Sequence, residues 1–168
     1  FPLRDMEFSN SDRFALTRHE PGKNSSSFVF FPGCQLGASA PEYVEKAYAY
    51  LRAKLPGGVG LMMRCCGAIA EWAGQQEMFG QAVREINRQW QELGRPGFVV
   101  ACSSCYRVLK NNFPESKIIS LWELYDRLGL PEGCAEENPG TVAVHDPCTT
   151  RQEKHIHKSV RNILKKLS

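Results

Sequence analysis

The sequence has no apolar run approaching the roughly 20 residues that a membrane-spanning helix needs. It also lacks the charged start and apolar core of a signal peptide. Charge of either sign is scarce in excess: the net value is +3, too small to imply nucleic acid or a membrane surface as a partner. No glycine-rich dinucleotide fingerprint follows any apolar run, so neither a flavin nor a nicotinamide site is expected here. An even cysteine count is missing too. Seven cysteines fit a fully paired, secreted disulfide scaffold poorly. Clustered cysteines in a chain of this size point instead to metal binding or redox chemistry, which places the protein in a reducing cytoplasm.

What is present is enough for one domain. The 168 residues have room for a real core. The chain begins at Phe1 rather than Met, which leads us to expect a piece of something longer. Residues 1–27 are polar, show no sustained period and read as a linker or arm. Residues 28–168 then alternate between apolar runs and helical patterns. Phe28-Val29-Phe30-Phe31 reads as a buried strand stopped by Pro32-Gly33. Pro41 opens a helix from its first position, and Pro56-Gly57-Gly58 ends it. Val59 to Met63 is a second strand. From about Gln75 to Leu93, Met78, Phe79, Ala82, Val83, Ile86, Trp90 and Leu93 make a helical stripe, with Gly94 as its closing glycine. Phe98 to Ala101 is a third strand, and a short helix follows Cys102. Ile118-Ile119 is a fourth strand. Ser120 to Glu123 forms a capping box for a helix ending at Gly129. Thr141 to Val144 reads as a fifth strand. A last helix, capped by Thr150 and Glu153, buries Ile156, Val160, Ile163, Leu164 and Leu167. Its basic residues are read as a solvated face.

Strands alternating with helices predict an α/β fold with a mostly parallel sheet and flanking helices. Ligands of such sheets gather beyond the C-terminal strand ends. Four of the expected strands end there at a cysteine: Cys34, the Cys65–Cys66 pair, Cys102 and Cys148. Five cysteines form one constellation, C-x30-C-C-x35-C-x2-C, made of Cys34, Cys65, Cys66, Cys102 and Cys105. A disulfide between adjacent Cys65 and Cys66 would close a strained ring. In an extended strand the two side chains point to opposite faces, so sharing a site requires a bend, which Gly67 permits. Cys102-x-x-Cys105 sits where helix N–H groups favour thiolates. Structural zinc takes four ligands, and so does a cubane iron–sulfur cluster. Five thiols mean either a cluster of unusual shape or four ligands plus a reactive thiol, and spacing alone does not choose. Arg64 and Arg107 are candidates to offset thiolate charge, against the plainer reading of both as surface residues.

At these residues the sequence resembles the cysteine-rich CCG domain found in the disulfide-cleaving subunit of heterodisulfide reductase. Relatives of that subunit include iron–sulfur subunits of glycolate oxidases, lactate-utilisation proteins, anaerobic glycerol-3-phosphate dehydrogenase and some succinate:quinone reductases. Phe31-Pro32-Gly33-Cys34, Cys65-Cys66-Gly67 and Cys102-Ser103-Ser104-Cys105 carry the likeness, over residues 28–105. The resemblance implies that the five cysteines ligate a noncubane 4Fe–4S cluster of the kind that cleaves a disulfide substrate. In other members the motif binds zinc or is degenerate. It further implies an electron-transfer or disulfide-reducing module of an oxidoreductase rather than a complete enzyme. A partner subunit or domain would bring flavin or further clusters, in the cytoplasm or in a membrane-associated complex. Family members carry two copies of the motif, and 141–168 resembles the start of a second copy without its cysteine pair.

The remaining candidates weigh less. Cys134 reads as a bystander thiol. Cys148 stands beside His145 and Asp146, a set able to activate a nucleophile. The plainer alternative is a packed cysteine next to a helix cap. Cys65, Cys66 and Cys148 are the candidate catalytic thiols. His155 and His157, two apart on a helix, make a poor metal pair. His19 lies in the arm, and Trp72, Trp90 and Trp122 read as packing residues. Led by the resemblance, we rank an iron–sulfur redox module first. A zinc-binding structural or assembly domain comes second, and a metal-free dithiol oxidoreductase using Cys102 and Cys105 third.

Overall fold

The computed structural model describes residues 2–132, 141 and 143–167. In chain order a short helix α1 (Pro2–Ser9) and a strand β1 (Leu16–Arg18) precede β2 (Phe28–Phe31). Two helices follow, α2 (Cys34–Ser39) and α3 (Pro41–Lys54), then β3 (Val59–Met63). Helices α4 (Ala68–Trp72) and α5 (Gln76–Glu92) lead to β4 (Gly97–Val100). After it come α6 (Ser103–Asn112), β5 (Ile118–Ser120) and α7 (Leu121–Leu128). A 3-10 turn (Cys148–Thr150) and α8 (Lys154–Leu167) close the described chain. Among the described residues no helix is long and apolar enough to cross a membrane.

The strands form one sheet in the order β1-β3-β2-β4-β5. β2 to β5 are parallel neighbours, with Val29 opposite Gly60 on one side and Phe98 on the other. β1 joins β3 antiparallel, Leu16 opposite Met63. The chain therefore leaves β2 toward β3, crosses back to β4 on the other flank of β2, and continues outward to β5. That reversal opens a crevice above the C-terminal ends of β3, β2 and β4.

The strands are apolar without alternation because helices cover both faces. Phe30, Val59, Leu61 and Val99 pack with Val44 and Leu51 of α3 and Leu124 of α7. Val29, Phe31, Phe98 and Val100 pack on the opposite face with Ile86 and Trp90 of α5 and Val108 and Leu109 of α6. The Trp90 ring stacks on Phe98, and its indole N–H donates to Pro96 O at 2.8 Å. Phe30, Phe31 and Phe98 are completely buried, and each such side chain contributes about 1.5–3 kcal/mol by leaving water. The Ser120 capping box is present: the Ser120 hydroxyl accepts from the Trp122 N–H, and Glu123 accepts from the Ser120 N–H.

Three local expectations are corrected. Residues 1–27 do not read as irregular throughout, since they contain α1 and the edge strand β1. Thr141, Ala143 and Val144 belong to no strand, and Val144 is exposed. Val142 and Cys134 lie outside the described residues. Among the described residues the fifth strand is β1, at the edge of the sheet opposite β5. Thr150 lies in the 3-10 turn, four residues before α8 starts. The Glu153 carboxylate turns to Lys110 of α6 at 2.5 Å instead of back to Thr150.

Candidate functional site

Each of the three central strands ends by delivering sulfur to the crevice. β2 stops at Pro32, and Gly33 turns the chain into α2 with φ 86°, placing Cys34 first in that helix. A Cβ on Gly33 would lie 3.2 Å from both Cys102 Cβ and Cys105 Sγ. Glycine is required there twice over, by the positive φ and by the approach of a cysteine-bearing loop. β3 runs into Arg64 and the cysteine pair, then bends at Gly67, φ 87° and ψ 0°, to start α4. A Cβ at Gly67 would sit 3.0 Å from the Phe79 ring and 3.1 Å from Ala82. β4 ends at Val100, Ala101 leads to Cys102 at the N-cap of α6, and Cys105 lies one turn into that helix.

The thiols meet in one unbroken run: Cys34 contacts Cys65, Cys65 contacts Cys66, Cys66 contacts Cys105, and Cys105 contacts Cys102. The vicinal pair serves both ends of it. Cys65 packs with Met6 of α1 and Ala70, whereas Cys66 belongs to the main core with Ile86 and Trp90. The Cys65 N–H donates to Asn10 Oδ1 at 3.1 Å. All five cysteines are free, and Cys65, Cys66 and Cys105 are buried.

Neighbouring thiols decide where charge rests. Cys102 is held at about 6, first by the Cys105 thiol and then by N–H groups of Cys105 and Ser104, against the pull of burial. Cys66 lies well below the ordinary thiol range because Cys105 and Cys65 donate to it, with help from the Ala68 N–H. Cys65 is pushed up to about 11: the contact with Cys34 lowers it, but Cys66 and burial outweigh that. Cys34 is raised by donating to Cys65 and by burial. Cys105 is raised by its contacts with Cys102 and Cys66 and by burial. Negative charge in the array is thus drawn toward Cys66 and Cys102 and away from Cys34, Cys65 and Cys105. Among the described residues no three His, Cys, Asp or Glu donors stand ready as a cage for a metal ion.

Arg64 is not a surface residue. It is 3% exposed, with Nη1 3.4 Å from Glu85 Oε1 of α5. Its Nε and Nη1 make no hydrogen bond. A guanidinium stays charged even when burial lowers its pKa, so a cation stands next in sequence to the thiol pair. Arg107 is half-buried and grips Glu71, tying α6 to α4. Sequence reasoning missed Asn10 and Met6, because their segment carries no period long enough to announce a helix.

Cys148 takes no part in the run of thiols. It is exposed and starts the 3-10 turn, not a strand end. Asp146 faces Arg161, at 2.9 and 2.7 Å, and His157 Nδ1 at 3.7 Å. Cys148, His145 and Asp146 are therefore not arranged as nucleophile, base and orienting acid. Of the candidate catalytic thiols, only Cys65 and Cys66 lie in the array.

Comparison with known proteins adds one finding. The family model described as the CCG cysteine-rich domain matches residues 28–110, which span β2 to α6 and hold all five cysteines of the array. No curated protein and no solved structure shows a significant match. Motif and family model agree, and through residues 28–110 the chain belongs to the CCG cysteine-rich domain family, which is generally associated with iron–sulfur and redox chemistry.

Proposed function

We propose that the chain is an iron–sulfur redox module in which Cys34, Cys65, Cys66, Cys102 and Cys105 hold a 4Fe–4S cluster of noncubane shape. It passes electrons between a partner's flavin or clusters and a thiol/disulfide couple. The observation that carries this reading is the unbroken run of five thiols at the C-terminal edge of three adjacent parallel strands. A tetrahedral zinc site would leave one of five sulfurs over. A polynuclear cluster spreads its ligands across several metal atoms and needs no ready-made cage for one ion. The Gly33 cradle, which a Cβ would fill, lets two sulfur-bearing loops close on each other.

When bound, such a cluster supplies one-electron redox chemistry at a potential set by its charge and surroundings. The chain's own residues do the rest. All five sulfurs must bind as thiolates, so Cys34, Cys65 and Cys105 give up their protons on loading. The buried Arg64 cation and the N–H groups of Ala68, Ser104 and Cys105 offset part of the resulting negative charge.

Anaerobic purification followed by metal and sulfide analysis tests the proposal. Iron and acid-labile sulfide in stoichiometric amounts, with electron paramagnetic resonance of the reduced form, support it. Stoichiometric zinc without iron overturns it in favour of a structural site. The lowered Cys102 beside the raised Cys105 also favours a second reading, a dithiol oxidoreductase with an attacking and a resolving thiol. Thiol–disulfide activity that survives chelators and vanishes in Cys102→Ser identifies that case.

A further inference from the structure

Next to the cysteine array, on the β5 side, lies a cavity of about 60 Å³ that the redox reading does not use. Ala101, Cys102 and Ser103 form one wall at the end of β4, and Trp122 of α7 forms another. The segment His145–Pro147 and the α8 residues Ile156, His157 and Val160 complete it. The lining is mostly apolar, and two of its polar groups, Asp146 and Ser120, already have partners. Asp146 is held by Arg161 through both carboxylate oxygens, and the Ser120 hydroxyl caps α7.

Among the described residues, His157 supplies the one lining side-chain atom that is both buried and unpaired. Its side chain is only 10% exposed, and Nε2 is buried without a hydrogen-bond partner. A buried polar atom left unpaired costs about 1–3 kcal/mol. Nδ1 stands 3.7 Å from the Asp146 carboxylate, too far for a hydrogen bond but near enough to favour the tautomer with its proton on Nδ1. Nε2 then presents a bare lone pair on the wall of an apolar cavity. Only a donor can satisfy it. A void of this volume exceeds what a single water needs, so there is space for a short aliphatic body behind that donor.

We propose that this cavity binds a short aliphatic molecule ending in a single hydrogen-bond donor, S–H or O–H, with His157 Nε2 as acceptor and Cys102 also in the lining. Arg161 holds Asp146, and the carboxylate so held favours the imidazole tautomer whose Nε2 accepts, so the acceptor is prepared before the ligand arrives. His157 is a binding residue here, and no bond is made or broken. The inference needs no metal and goes beyond the redox reading. Its consequence is that a donor-ended ligand would rest beside one of the five sulfurs, at the C-terminal edge of the sheet where ligands of such folds gather.

The test is a titration of the full chain with 1-propanethiol, 1-propanol and the donor-free methoxyethane. It is followed by the His157 ring nitrogens and the Trp122 indole in nuclear magnetic resonance, with iron measured in the same sample. At least one donor probe is expected to shift His157 Nε2 saturably. Methoxyethane is expected to bind about tenfold more weakly, having lost the one buried hydrogen bond. Whether the thiol or the alcohol wins identifies the donor. His157→Phe should abolish the discrimination, and Val160→Phe, which fills the cavity but keeps the imidazole, should abolish binding. Two results overturn the inference: no saturable shift with either donor, meaning that water alone occupies the cavity, or methoxyethane binding as well as propanol. Absent iron with the donor shift intact overturns the redox proposal alone.

Discussion

Cys102 shows how far a thiol's chemistry is set by what stands next to it. With Cys105 donating to it and two backbone N–H groups behind, it is half-ionised at about 6. In the metal-free protein, the rate of alkylation by iodoacetamide should therefore rise through about pH 6. Cys102→Ser should remove that phase, and Cys105→Ala should move it up toward the ordinary thiol range of about 8.5. Gly33 is a second such case. Gly33→Ala puts a side chain at φ 86° and within 3.2 Å of Cys105 Sγ, so the backbone strain of about 1–2 kcal/mol is joined by a steric push on the array. Lower thermal stability and reduced metal uptake should appear together, and unchanged metal uptake would show that the loops need not approach so closely. Glu85 is lowered to about 2, chiefly by Arg88 and then by the buried Arg64. A lowered carboxyl stabilises the fold above its unfolded value of about 4.3 and loses that effect as pH falls toward 2. Glu85 is 37% exposed, so solvent weakens the pair. The measurable signature is slope: urea stability between about pH 4.5 and 2 should fall less steeply in Glu85→Gln than in the unchanged protein.

The elements differ in how plainly they were written in the chain. β2, β3 and β4 were legible because both faces are buried, so their apolar runs are unbroken and end at Pro, Arg or Cys. α5 was legible because seventeen residues give its stripe several turns to repeat. β1 was not, because three residues of alternating exposure on an edge carry no pattern, and its pairing comes from the β3 backbone. α1 and α4, eight and five residues long, are too short for a period, and α4 exists because Gly67 turns the chain. Thr141 to Val144 misled in the opposite direction. The β-branched composition of that run describes fitness for a pleated, half-buried surface, and the described residues Thr141, Ala143 and Val144 lie outside the sheet. α1 matters for function because Met6 covers Cys65 and Asn10 holds the Cys65 N–H. Asn10→Ala leaves that N–H unpaired, at about 1–3 kcal/mol, and Met6→Ala opens a hole beside the thiol. Both variants should speed alkylation of Cys65 several-fold while leaving Cys102 unchanged. Equal rates at Cys65 would mean that α1 does not shield the array.

The molecule as a unit explains why five distant cysteines share one place. Parallel strands all point their C-terminal ends the same way, and the chain's reversal around β2 leaves a crevice where three of those ends meet. The cysteine spacing and the apolar runs together made that convergence readable from the residues alone. The side-chain order within the array was not readable, since it depends on the Gly33 and Gly67 bends and on which face each vicinal sulfur takes. Nor was the separation of Cys148, whose proline-preceded position mimics Cys34 while its segment stays out of the sheet. The claim on which the account turns is that five thiols, and not four or six, form one metal-binding unit. Differential alkylation with peptide mass spectrometry, on anaerobically loaded and on metal-stripped native protein, addresses it directly. The account predicts that loading protects Cys34, Cys65, Cys66, Cys102 and Cys105 together and leaves Cys148 labelled. Protection confined to Cys102 and Cys105, or extended to Cys148, would contradict it.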